Sequence, residues 1–526
     1  MVERNRVQLG DNGEGVDGMK RTVVWVGVLV AALSAGSALY LTHPEQEKQG
    51  KVSSVQAPAA VVGSKDASNQ KQEDKKAAES FAIRGVIEGF YGAPWTHDQR
   101  LSMFEFMSRN HYNTYVYAPK DDPYQRLNWA LLYPEQQAAQ MQELITKAAS
   151  NGLSFVYSIS PGLPLPLPSQ PLTAEMKQKA ITFSSNEDRD LLIAKVEQLR
   201  KMGVHTIMLS FDDVLEELND KDRGIYGTNY AEAHMQLANT LLVEGKRKDP
   251  KFQLWFAPTR YFGVKDHVYW QTLREQLDPS IQVIWTGPEI LSKKIDSADA
   301  DKVAQLLGRK PLIWDNYPVN DFTYEIAKAP QLFFGPLESR SVDLQKHVAG
   351  LLANPMVQPE SSKPALYSIG QYLNRPASYD PDKAYVEGLS EVSGVSRLDL
   401  FNKFTDYSRR SMFEQEWNPK FKALVDTNDT ARLHKEFEEL RNLRIAMQKS
   451  TANKQLLKEI DPWLMKLSRE GELGLQTLQM LTTAQDSPER AQLAEKTRQE
   501  LIALQQEPYK IGEEILTFVD LSLSKE

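Results

Sequence analysis

Two aspartates stand side by side, Asp212 and Asp213, directly after the apolar run 206–211. Two carboxyl groups in unlike surroundings can have their proton affinities driven apart, leaving one an anion and the other an acid. In an extended strand neighbouring side chains point to opposite faces. At a strand end the chain turns, and both can reach one opening. Taken alone, the doublet reads more readily as an Asx turn or the N-cap of a helix over 214–218. A second doublet, Asp121-Asp122, follows Lys120, and Pro123 behind it suggests turn chemistry. Lys120 either meets a ligand hydroxyl or pairs with those carboxylates. Glu88 is either an acid or a barrel-lining charge paired inside, and Asn316 and Asn354 either bind a ligand or cap loops. The eight histidines show no HxH or HExxH spacing, which argues against a histidine metal site. Neither GxGxxG nor GxxxxGK[ST] occurs, so no dinucleotide or nucleoside triphosphate fingerprint is present.

These groups need elements to position them. From Phe81 onward, short runs rich in β-branched and aromatic residues alternate with longer segments of helical period. The runs 83–88, 114–117, 154–159, 206–211, 253–257, 282–285, 311–314 and 350–352 predict eight strands. The last has rivals at 332–334 and 366–369. Helices are expected over 98–110 after Thr96, 134–149, 187–202 ending at Gly203, 231–243 and 265–276. Such alternation argues for a parallel sheet, and eight units over about 290 residues suggest a closed (β/α)8 TIM barrel.

In that architecture the active site lies in the loops after the strands. Those loops open with Gly89-Phe90-Tyr91-Gly92, Lys120-Asp121-Asp122, Ser160-Pro161-Gly162, Asp212-Asp213, Thr259-Arg260-Tyr261, Thr286-Gly287, Asp315-Asn316 with Asp321 beyond, and Asn354-Pro355. Six of the nine tryptophans fall in the same region, Trp314 among them. Hydrogen-bonding groups beside aromatic platforms suit a sugar, which has hydroxyl edges and an apolar face. For a glycoside, a carboxylate pair acts as acid and nucleophile or base. In substrate-assisted enzymes the sugar's own 2-acetamido oxygen attacks instead.

The remaining segments bound the setting. A charge of −8 over 526 residues is a poor footprint for a general nucleic-acid binder. The absence of cysteine excludes a disulfide scaffold, thiolate zinc sites and a cysteine nucleophile. Residues 22–41 form an uncharged stretch of about one membrane crossing, preceded by Lys20 and Arg21. Residues 1–43 are therefore expected to be a signal peptide or signal anchor and membrane tether, placing the body outside the cell, secreted or anchored. Residues 44–80, without aromatics, read as a linker. Residues 81–380 are assigned to the barrel and 381–526 to a helical domain. There, 398–408, 431–448, 453–469, 473–484 and 488–506 carry apolar residues at three- and four-residue spacing, which suggests a bundle packed on the barrel.

Several stretches together are similar to a known family. RGVIEGFYGAPW from Arg84, NTYVYAPKDD from Asn113, ISPG from Ile159, FDD from Phe211, WTGP from Trp285 and IWDN from Ile313 resemble the O-GlcNAcases and bacterial hyaluronidase-like β-N-acetylglucosaminidases, glycoside hydrolase family 84. The resemblance covers roughly 81–375, and more weakly the helices beyond. It implies a (β/α)8 catalytic barrel, no metal or organic cofactor, and retaining, substrate-assisted removal of terminal β-linked GlcNAc through an oxazoline. By position, Asp212 resembles the residue that polarises the 2-acetamido group, and Asp213 the general acid/base. Gly89, Lys120, Asn316, Asp321 and Asn354 resemble the residues that hold the sugar hydroxyls and acetamido group. Tyr261 resembles the tyrosine beside the acetamido oxygen, and Trp314 the wall of the acetamido methyl pocket. The implied partners are β-GlcNAc-bearing glycans or glycoproteins. Secreted relatives often carry a small α/β domain before the barrel, whereas here a linker precedes it. Endo-cleavage of hyaluronan and glycan binding without turnover are the competing expectations.

Overall fold

The computed structural model describes residues 80–525 apart from 168–169, 395, 409 and 415–417. The expected anchor over 22–41 lies outside the described residues, as does the linker up to residue 79.

Eight strands are present: β1 (Ile83–Glu88), β2 (Thr114–Tyr117), β3 (Ser154–Ile159), β4 (Thr206–Ser210), β5 (Gln253–Ala257), β6 (Gln282–Trp285), β7 (Leu312–Asp315) and β8 (Gly350–Ala353). Each pairs in parallel with the next, and β8 returns to β1 with Gly350 opposite Ile83, closing a TIM barrel. Such strands are covered on both faces, so they read as continuous apolar runs rather than alternating ones. The two faces nevertheless separate. Ile87, Val116, Val156, Met208, Ile284 and Leu352 fill the inside. Val86, Tyr115, Tyr157, Ile207 and Phe256 face the helical layer.

The helices start where local chemistry satisfies their free N–H groups. His97–Arg109 opens with a reciprocal capping box between Thr96 and Gln99, and Asn186–Lys201 with the Ser185 hydroxyl on Asp188 N–H. Of the rivals for the eighth strand, residues 366–369 lie in the helix Pro359–Asn374, where Leu366, Ile369 and Leu373 recur at helical period on its buried face. Residues 332–334 lie outside the barrel strands.

Glu88 proves to be a paired internal charge. It lies one residue out of step with the inward-facing Ile87, so its side chain is directed at the helix layer. There its carboxylate accepts both Arg100 Nε–H and Nη2–H at 2.8 and 2.7 Å, Trp95 N–H at 3.0 Å, and the Tyr115 hydroxyl. A buried carboxylate so saturated holds the barrel to its first helix and has no lone pair to spare for catalysis.

Beyond the barrel the chain is helical, and barrel and helices form one compact unit. The expected break between 469 and 473 is absent: Lys454–Thr482 is one helix. Gly471 and Gly474 are there for contact. A Cβ on Gly471 would come within 2.6 Å of Arg441 N, and one on Gly474 within 2.4 Å of the Phe437 ring. Glycine lets the helix Thr430–Ser450 approach that closely. This bundle is tied to the barrel through Glu459, whose carboxylate accepts Glu360 N–H and Ser361 N–H at the start of Pro359–Asn374, and through Trp463 Nε1–H on Pro330 O. Among the described residues no helix is long and apolar enough to cross a membrane.

Candidate active site

The ends of the strands place the residues at the barrel mouth. Gly89, Lys120, Asp212, Tyr261, Asn316 and Asn354 each lie one to four residues beyond the end of a strand, and Trp314, within β7, is one of the side chains that fill the barrel interior. Asp213 follows Asp212 directly. Its φ of +52° is in the left-handed region, uncommon for a residue with a Cβ, and this turn brings it to the same opening.

The centre is an ion cluster. Lys120 Nζ forms a buried ion pair with Asp212 Oδ2 and lies 3.5 Å from Asp213 Oδ2. Asp213 also accepts the Tyr261 hydroxyl on Oδ1 at 2.8 Å and the Tyr91 hydroxyl on Oδ2 at 3.0 Å. Burial alone would raise its pKa. The charges of Lys120 and Arg126 and the two phenol hydrogens outweigh burial and hold it below the usual carboxylate range. The other oxygen of Asp212, Oδ1, is buried and has no hydrogen-bond partner among the described residues, and the same is true of Trp314 Nε1. A buried acceptor left open is costly unless something is to fill it.

The wall opposite is a second network. The Trp314 ring lies so close over the β1 exit that a Cβ on Gly89 would fall 2.3 Å from Cζ2. Gly89 N–H reaches Asn354 Oδ1 at 3.3 Å, Asn354 Nδ2–H reaches Asn316 Oδ1 at 2.9 Å, and Asn316 Nδ2–H is held by Ile290 O at 2.8 Å. Both amides are thereby locked in orientation. Asp321 Oδ2 accepts Tyr91 N–H at 2.8 Å and Oδ1 accepts Phe322 N–H at 2.7 Å. Its pKa is raised to about 6, chiefly by burial.

All nine residues singled out in the sequence thus meet in one connected cluster: Asp212, Asp213, Gly89, Lys120, Tyr261, Trp314, Asn316, Asp321 and Asn354. The rival doublet does not join it as a pair. Asp122 is consumed by the Tyr117 and Tyr133 hydroxyls at 2.7 and 2.9 Å and by Tyr124 N–H at 2.8 Å, which makes it a loop anchor. Two residues escaped the sequence reading. Tyr91, in the Gly-Phe-Tyr-Gly turn after β1, had position as its signal. Arg126, six residues past Lys120, had none, because only the fold carries its guanidinium to Asp213. Among the described residues no group of three or more histidines and carboxylates is placed to hold a metal ion.

A family model for beta-N-acetylglucosaminidase matches residues 84–406, more than half of the chain, and one for the post-catalytic domain of bacterial GH84 proteins matches 413–514. The chain belongs to glycoside hydrolase family 84. This family 84 chain is 33% identical over 294 residues to the protein O-GlcNAcases of Rattus norvegicus and Mus musculus, a stretch that is 55% of this chain and 29% of each relative. It therefore spans less than a third of the length of those curated relatives. Among solved structures, an O-GlcNAc hydrolase of Thermobaculum terrenum is similar with a TM-score of 0.74 and 33% identity, over 85% of this chain and 95% of that one. CpGH84B is similar with a TM-score of 0.69 and 26% identity, over 85% and 77% respectively. Family 84 is a family of glycoside hydrolases.

Proposed function

We propose that the protein is a retaining exo-β-N-acetylglucosaminidase that removes terminal β-linked GlcNAc by substrate-assisted catalysis. The observation that carries this reading is the asymmetry of the adjacent carboxylates. Asp212 keeps one buried oxygen open, whereas both oxygens of Asp213 hold exchangeable phenol donors.

In this reading the substrate's acetamido N–H fills Asp212 Oδ1, and its carbonyl oxygen takes the Tyr261 hydroxyl away from Asp213. Losing a donor, Asp213 gains proton affinity and becomes able to act as an acid. The acetamido oxygen attacks the anomeric carbon while Asp213 gives its proton to the departing glycosidic oxygen. Asp212 stabilises the positive charge that develops on the acetamido nitrogen. An oxazoline results. Asp213 then takes a proton from water, which attacks the anomeric carbon, reopens the ring and restores the β configuration. Trp314 walls the methyl group, and Asn316, Asn354 and Asp321 hold the sugar. A terminal sugar, rather than an internal unit of a polymer, is the proposed substrate. The natural substrates are proposed to be β-GlcNAc-bearing glycans or glycoproteins met outside the cell, with 22–41 as leader or tether. Protease accessibility on intact cells tests that location.

The chemical test uses aryl β-GlcNAc substrates of graded leaving-group ability. Asp213→Asn is expected to lose most on poor leaving groups, and Asp212→Asn to slow the first step for every aglycone. Trapping of a sugar on a carboxylate, or equal turnover of the matching β-glucoside, overturns substrate assistance. Cleavage of hyaluronan fragments with no turnover of aryl β-GlcNAc overturns the exo reading.

A further inference from the structure

The left-handed backbone at Asp213 needs something to hold it. Its carbonyl oxygen accepts two hydrogen bonds, one from Leu165 N–H of the loop after β3 at 2.9 Å and one from Arg126 Nη2–H at 3.0 Å. Through Nη1 the same guanidinium donates to the Tyr91 hydroxyl at 3.2 Å, and that hydroxyl donates to Asp213 Oδ2 at 3.0 Å. Arg126, Tyr91 and Asp213 thus close a ring that grips one residue by both its backbone and its carboxylate. Arg126 is buried, with its guanidinium carbon 5.6 Å from the centre of the Tyr91 ring. It has no carboxylate oxygen of its own within ion-pair distance among the described residues. A buried arginine whose two terminal nitrogens go to a phenol and a main-chain carbonyl, with Nε left without a hydrogen-bond partner among the described residues, is placed for geometry more than for pairing.

We propose that Arg126 is the positioning residue for Asp213, holding the strained main chain directly and the carboxylate through Tyr91 so that the acid/base faces the glycosidic oxygen. The inference rests on the assignment of Asp213 as acid/base. The charged and titratable groups around that carboxylate are Lys120 and Arg126 from the segment after β2, Tyr91 after β1, Asp212 beside it, Tyr261 after β5 and Asp321 after β7. Burial raises the proton affinity of Asp213, and Lys120 and then Arg126 oppose burial. Neutralising Arg126 therefore moves the ionisation of Asp213 upward while loosening its position.

The test compares Arg126→Gln, Arg126→Lys, Tyr91→Phe and Asp213→Asn in the full chain, on dinitrophenyl and phenyl β-GlcNAc, across pH. For Arg126→Gln we expect kcat/KM on the phenyl glycoside to fall about 10- to 100-fold more than on the dinitrophenyl one, within the range general acid catalysis supplies. KM should stay near its original value, and the alkaline limb for the phenyl glycoside should move to higher pH. Arg126→Lys should restore part of the loss, since an ammonium can still reach the carbonyl. Equal loss on both glycosides with an unmoved limb overturns the proposal and leaves Arg126 a purely structural residue. If circular dichroism shows Arg126→Gln unfolded, Arg126→Lys and Tyr91→Phe decide. An unchanged leaving-group ratio and limb in both overturns the proposal. Failure of the acid/base assignment shows separately, as an Asp213→Asn variant that does not discriminate between the two aglycones.

Discussion

Tyr261 gives its hydroxyl hydrogen to Oδ1 of Asp213 across 2.8 Å. The tyrosine that the family resemblance sets beside the acetamido oxygen is thus bound to the residue read as the acid. One hydroxyl hydrogen serves one strong acceptor at a time, so in the proposed mechanism substrate and Asp213 compete for it.

For Tyr261→Phe two effects should therefore appear together. Asp213 loses a donor in the free enzyme, so its ionisation rises and the alkaline limb of kcat/KM moves to higher pH. The acetamido group also loses a partner, and kcat/KM should fall by up to about 10-fold, the equivalent of one neutral hydrogen bond. A pH–rate profile on a phenyl β-GlcNAc reads both. A limb that stays in place would separate Tyr261 from the acid.

Lys120 is the cation shared by both carboxylates, and Lys120→Met leaves the buried Asp212 and the half-buried Asp213 without it. One of them should then hold a proton to higher pH than in the unfolded chain. A raised carboxyl pKa gives a folded state whose stability is lost as pH climbs from the unfolded value through the raised one. Urea unfolding should show the variant more destabilised at pH 8 than at pH 5, by up to about 3–5 kcal/mol at the upper end. Equal destabilisation at the two pH values would deny the shared pairing.

Asp321 ionises near pH 6 because burial outweighs the N–H groups of Tyr91 and Phe322. In the proposed function it accepts sugar hydroxyls above that pH; below it, one oxygen carries a proton. Affinity for a GlcNAc-type competitive inhibitor should weaken as pH falls through about 6. Asp321→Asn should bind about 10- to 100-fold more weakly at pH 7 and lose that dependence. Calorimetric titration across pH 5–8 checks it, and an unchanged pH dependence in the variant would place the ionisation elsewhere.

His234 stacks on Phe211, the residue before the carboxylate pair, with ring centres 4.0 Å apart, and its Nδ1 lies 2.9 Å from the Tyr269 hydroxyl. Burial lowers its pKa to about 3 from 6.5. Between these values the unfolded chain binds a proton that the folded one refuses, so stability falls as pH drops below 6.5. The loss should reach about 2 kcal/mol by pH 5. His234→Phe keeps a ring on Phe211 and should lose less stability between pH 7 and pH 5 than the wild type. Parallel slopes in urea unfolding would exclude His234 as the source.

Much of the site was legible because barrel strands are short and bounded, and the residues that follow them form the mouth. Once the run 114–117 is a strand, Lys120 falls in the loop after it, and the same reading places Asp212, Asn316 and Asn354 at strand ends. Side chains read by local composition fared less well. Two helices are expected over 453–469 and 473–484, but a glycine inside a helix costs only about 1 kcal/mol, and contact of Gly471 and Gly474 with Arg441 and Phe437 accompanies one continuous helix. Glu88 stayed ambiguous for a related reason: its partner Arg100 is one helix away, and only packing brings the two together.

The sequence by itself determined the order of strands and helices, the residues that leave each strand toward the mouth, and the family to which those residues are similar. These follow from periodicity and local turn chemistry, which act over a few residues. Tertiary structure decided the state of each carboxylate: Asp122 quenched by tyrosines, Asp212 with one oxygen open, and Asp213 turned inward through a left-handed residue and held by Tyr91, Tyr261 and Arg126. Proton affinity and orientation depend on burial and on charges a few ångströms away in space, and those neighbours come from segments tens to hundreds of residues apart.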